Sequence, residues 1–149
     1  MGWKVSEEIV PNVMPTREAI LRLQAEMARM PQIVLQTNHY FVKGMYAREL
    51  VIPAGTTLVG KIHKSEHFFM LMSGDMTLWT EEGMRRVQAP YLSCAKPGMK
   101  RVGFAHADSV CINIHSTELT DLVEIEEQLI EKEDIPMVDT ESRLVECPS

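Results

Sequence analysis

Between Thr16 and Met30, apolar residues recur every three or four positions. Ile20, Leu23, Met27 and Met30 fall on one stripe, while Arg17, Arg22, Glu26 and Arg29 occupy other faces. Thr16 is suited to cap the start, Glu18 sits in the first turn and Pro31 stops the pattern. The spacing predicts an amphipathic helix that must lie on the chain's own sheet or on a second subunit. From Ile33 to Ser116 the period shortens, and runs rich in Val, Ile, Thr, Tyr and Phe alternate with turn residues. Predicted strands are Ile33–Gln36, Tyr40–Ile52 with a bend at Gly44, Met76–Thr80, Arg85–Gln88, Tyr91–Ala95, Arg101–His106 and Val110–His115. Short connections and no alternation of strand with helix point to an antiparallel barrel rather than a parallel sheet. Beyond Thr120 the helical period returns in Leu122, Ile125, Leu129 and Ile130, with Asp121 and Glu124 placed for the first turn. From about Asp134 apolar anchors are few, and the expectation is a loose tail or an arm ordered by a neighbour. One domain is expected: a lead-in and helix over 1–32, a barrel over 33–117, and a helix and tail over 118–149.

The stretch from Gly55 to Gly74 stands out. It carries Lys61 and His63, turns at Lys64, Ser65 and Glu66, and returns through His67, Phe68, Phe69, Met70, Leu71 and Met72. It reads as a hairpin with basic and imidazole groups near its bend. Alternation places His67, Phe69 and Leu71 on one face of the return arm and Phe68, Met70 and Met72 on the other. Both faces are apolar, so one fills the barrel while the amino-terminal helix or a partner covers the other. Farther on, Cys111, Asn113 and His115 alternate with Val110, Ile112 and Ile114. Parity leaves open which trio faces inward, and hence whether His115 reaches the pocket.

Charge and composition narrow the function. The chain has 149 residues, 45% of them hydrophobic, enough for a core without staples. A net charge of -6 argues against nucleic acid and anionic membrane as partners. No apolar run is long enough to span a bilayer, and a cytoplasmic location is the expectation. Cys94, Cys111 and Cys147 are widely spaced and odd in number, giving neither a disulfide framework nor a zinc knuckle. Phosphate loops are absent, and no Ser–His pair is placed as a nucleophile would need.

The spacing of Gly55, Lys61, His63, His67 and Gly74, followed after 15 residues by Pro90, Lys96, Pro97, Gly98, Arg101 and Ala105, resembles the two motifs of the cupin family. The resemblance implies a cupin double-stranded β-helix, a jelly-roll-like all-β barrel, here flanked by one N-terminal and one C-terminal α-helix. It also implies a metal held by three histidines and a glutamate. Those slots fall on Lys61, His63, His67 and Arg101, so only His63 keeps its identity. Two cations in ligand positions disfavour a divalent ion. The residues therefore suggest a metal-independent cationic pocket, without a resident cofactor, in which Lys61, His63, His67, Arg101 and His115 bind a small anion such as a phosphate, carboxylate or acidic sugar. One alternative is a metal-dependent cupin enzyme, of isomerase or dioxygenase type, using His63 and His67 with His115, Glu66 or water completing the set. Another treats the barrel as an oligomerisation scaffold. Cupins commonly form dimers, so a homodimer is expected, and the overall pattern is also similar to small phage and prophage proteins, which suggests an assembly or host-interaction role.

Overall fold

The computed structural model describes residues 16–133, 137–138 and 144–145. Helix α1 (Arg17–Met27) opens where the cap predicts, with the Thr16 hydroxyl accepting the Ala19 N–H at 3.1 Å. It ends at Met27 rather than running to Met30. Pro31 lacks a backbone donor, and the Gln32 side chain instead donates to the Met27 and Met30 carbonyls, each at 2.7 Å.

The strands follow as β1 (Gln36–Val42), β2 (Met45–Ile52), β3 (Thr57–Val59), β4 (His67–Ser73), β5 (Asp75–Thr80), β6 (Gly83–Gln88), β7 (Tyr91–Ala95), β8 (Arg101–Ala105) and β9 (Ser109–Ser116). Helix α2 (Leu122–Leu129) comes next, capped by the Asp121 carboxylate, and β10 (Met137–Val138) pairs with β11 (Leu144–Val145). Two antiparallel sheets face each other, a five-stranded one in the order β1-β2-β9-β4-β7 and a four-stranded one in the order β3-β8-β5-β6. From β3 onward the chain passes repeatedly between them, which is the all-β barrel expected from the sequence.

Two details of connectivity differ from the sequence reading. Tyr40–Ile52 is not one bent strand. The chain reverses at Lys43–Gly44, Gly44 takes a φ of +80°, and Val42 pairs with Met45. Residues 33–35 lie outside any strand. Gly55–Gly74 is not a hairpin either, because β3 pairs with β8 in one sheet while β4 lies between β9 and β7 in the other. Residues 60–66 cross between the sheets, and the end of α2 satisfies their backbone. Lys64 N–H donates to the Leu129 carbonyl at 2.8 Å, and Glu131 N–H donates to the Ile62 carbonyl at 2.9 Å. Local alternation is the same for two arms of a hairpin and for two strands of facing sheets, so only the distant partner decides.

The core between the sheets is built on Leu50, Ile52, Phe69, Leu71, Met76 and Leu78. Gly74 makes the corner from β4 to β5, with a φ of +98° and a Cβ position only 2.1 Å from Ser109 Oγ, so any side chain there would collide. Helix α1 packs Ile20 on Trp79, Val102 and Phe104, the outer face of the four-stranded sheet. Helix α2 packs Ile125 and Leu129 on Tyr46 at one end of the barrel. The outer face of the five-stranded sheet has no such cover among the described residues. Tyr40, Val42, Met45, Phe68, Met72 and Leu92 are all exposed.

Candidate metal and ligand site

Three segments far apart in sequence bring three imidazoles together. His67 opens β4 opposite Ala95 of β7. His115 lies near the end of β9 opposite Tyr46. His63 sits in the crossing segment, bridged to Ile130 after α2, while its carbonyl accepts the Gly98 N–H at 2.9 Å. Ring centroids are 4.1 Å apart for His63 and His67, 4.9 Å for His63 and His115, and 4.5 Å for His67 and His115. The parity left open by the sequence is resolved here: Cys111 and His115 are buried, while Val110, Ile112 and Ile114 lie on the opposite face.

The electrostatics keep these rings neutral at pH 7. Burial, reinforced by the neighbouring histidines and by Arg101 and Arg48, pushes His63 down to about 2. Burial, with His67 and Arg48, pushes His115 down to about 3. Burial also lowers His67, against the opposing effect of its hydrogen bonds to the Ser65 carbonyl and the Asn113 side chain. In each case the charged form loses its hydration without gaining an acidic partner.

The two cations inferred from the sequence behave differently. Lys61 lines the cavity but is ion-paired with Glu126 of α2, so it is not the uncompensated positive charge expected from its motif position. Arg101 enters from β8 with its guanidinium 4.9 Å above the Phe69 ring. Among the described residues it forms no ion pair. Burial lowers its pKa, yet a guanidinium stays protonated. Glu66 is exposed and lies outside the imidazole cluster.

Sequence reasoning missed three contributors. Arg48 of β2 lines the cavity and depresses the His63 and His115 pKa values. Asn113 supports His67. Tyr46 is buried with its ring 6.1 Å from that of His115, and its hydroxyl is hydrogen-bonded to His39 Nδ1 at 2.7 Å. The alternation Tyr46, Arg48, Leu50 carried a signal for all of β2 once its pairing with β9 was known. The site opens into a cavity of about 1130 Å³ between the sheets.

This architecture is the cupin double-stranded β-helix, and comparison with solved structures bears it out. The cupin domain of Schizosaccharomyces pombe Cnp3 superposes with a TM-score of 0.50 at 14% identity, covering 66% of this chain and 70% of that one. KdgF from Halomonas sp. superposes with a TM-score of 0.51 at 15% identity, covering 59% of this chain and 82% of that one. The chain thus shares the fold of the cupins. No protein-family model and no curated protein matches the sequence.

The cupin fold is associated with metal sites, and the side chains here fit one. The candidate nitrogens of His63, His67 and His115 lie within 4.8 Å of one another. Two imidazoles on one zinc-sized ion need nitrogens about 3.3 Å apart, given metal–nitrogen bonds of about 2.0–2.1 Å, so small side-chain rotations close the set. Among the described residues the Nδ1 atoms of His63 and His115 are buried without a hydrogen-bond partner, which is costly for a polar atom that serves nothing. Neutral imidazoles are the protonation state that coordination requires.

Proposed function

We propose that this chain is a ligand-binding cupin-fold protein whose His63, His67 and His115 hold a divalent transition metal and whose Arg101 receives an anionic group beside it. The carrying observation is the convergence of three imidazoles, His115 buried and His63 and His67 largely so, two of them with Nδ1 atoms that lack a hydrogen-bond partner among the described residues. Three protein ligands leave a coordination position for a small molecule, as in open catalytic sites rather than closed structural ones. An ion held there supplies Lewis acidity to a ligand oxygen. The chain's own residues do the rest: Asn113 and the Ser65 carbonyl orient His67, the pairing of Lys61 with Glu126 removes a competing positive charge, and Arg101 fixes the anion. This reading favours a metal over the metal-independent pocket because His115 adds a third donor and Lys61 is neutralised.

Cobalt(II) titration of chelator-treated protein tests it. The expectation is one equivalent bound with visible absorption bands and a raised melting temperature, both lost in His115→Ala. A wild-type protein without bands or thermal shift would return the site to a purely cationic anion pocket.

A second reading concerns assembly. The exposed Phe68, Met72 and Leu92 lie on a sheet face that no helix covers among the described residues, which supports a homodimer through this face.

A further inference from the structure

The cavity is far larger than the anion that Arg101 and the imidazoles would hold. Its volume of about 1130 Å³ equals roughly 35 to 40 waters at about 30 Å³ each. A phosphate or acetate would leave most of it empty or wet. The imidazoles and Arg101 supply polar groups to one part of the lining, whereas Leu58 of β3 and Met76 and Leu78 of β5, packed with Leu50 and Phe69, supply an apolar part. Beyond them Met27 and Ile33, at and just after the end of α1, line the same cavity, and Ile33 is 60% exposed. Water in such a chamber lacks polar partners along most of the wall, so an apolar body gains by displacing it. At the other end, a buried guanidinium with no acidic partner among the described residues carries an electrostatic cost that a carboxylate relieves through two parallel hydrogen bonds.

We propose that the ligand is an amphipathic organic acid, with a carboxylate head at Arg101 beside the three imidazoles and an apolar body of medium chain length along Leu58, Met76 and Leu78. The proposal rests on the reading of the cavity as a ligand site and adds the class of molecule it takes. Small anions satisfy the head but leave the walls unfilled. Uncharged chains satisfy the walls but leave Arg101 unpaired.

Calorimetric titration with acetate, butyrate, octanoate and 1-octanol, on both chelator-treated and cobalt(II)-loaded protein, tests this. Each added methylene is expected to tighten binding about fourfold, so octanoate should exceed butyrate by on the order of 100-fold. Octanoate should also exceed 1-octanol at least tenfold, and Arg101→Gln should erase that second preference. Leu58→Trp, which narrows the apolar end, should weaken octanoate at least tenfold while leaving butyrate within threefold. Acetate binding within threefold of octanoate would overturn the apolar body, and 1-octanol matching octanoate would overturn the carboxylate head. If Arg101→Gln does not fold, the acid–alcohol comparison on wild type decides the head and Leu58→Trp decides the tail. A wild-type protein that shows the chain-length series but takes up no cobalt retains the ligand class and loses the metal. One that takes up cobalt with a flat series does the reverse.

Discussion

Lys61 and Arg101 line the same cavity and occupy equivalent slots in the two cupin-like motifs, but their surroundings differ. Lys61 faces α2 and pairs with Glu126, and the two side chains are 12% and 24% exposed. Lys100, one residue before Arg101, is fully buried and pairs with Glu133 in the same way. Arg101 lies on the inner face of β8 against Phe69, and among the described residues no acid forms an ion pair with it. Among the described residues, acids of α2 and the segment after it thus pair with two cations and not with the third. A buried charge left uncompensated within a large cavity points to a ligand, whereas a compensated one points to structure.

This contrast is testable by substitution, from the largest effect downward. Lys100→Met removes the buried ammonium that pairs with Glu133, and should cost about 3–5 kcal/mol in urea unfolding. The imidazoles come next, through pH. His63 and His115 are neutral in the folded protein down to about 2 and 3, but in the unfolded chain they protonate below about 6.5. Unfolding therefore takes up protons below that value. Stability should be full above pH 6.5 and decline as pH falls, by up to about 1.4 kcal/mol per pH unit for each ring. Urea midpoints measured from pH 7.5 to 5 check this, and a flat profile would show that the rings are solvated. Lys61→Met should cost about 1–3 kcal/mol by stranding Glu126. Arg101→Met should be neutral or stabilising by about 1 kcal/mol, because it removes a charge that no acid pairs with among the described residues. Equal losses for the two variants would erase the distinction between them. Smallest in stability is Leu92→Glu on the uncovered sheet face, expected to change it by about 0.5 kcal/mol or less. Light scattering should nonetheless show a loss of dimers relative to wild type.

Much of the fold was legible because strand and helix periods are local. The cap at Thr16 and the strand Tyr91–Ala95 lie where composition and spacing place them, and Asp121, expected in the first turn of its helix, caps it instead. The supposed hairpin was not legible, because β3 and β4 find their partners tens of residues away in different sheets. The same limit applied at the site. His63 and His67 were visible as a pair through their motif spacing. His115 was ambiguous because either face of β9 made chemical sense, and Glu126 sits on a helix whose acids resemble a solvated face.

By itself the sequence determined an antiparallel barrel with a helix on either side, and a patch of imidazole and basic side chains near residues 61 to 67. Those properties follow from periodicity and short-range spacing, which a chain carries wherever it folds. Tertiary structure alone decided that β9 turns its polar trio inward, that α2 brings an acid to Lys61, and that α1 covers the smaller sheet rather than the larger one. Each depends on which distant surface a segment meets. Burial and charge compensation, which set what a lysine, an arginine or a histidine can do, exist only after that meeting.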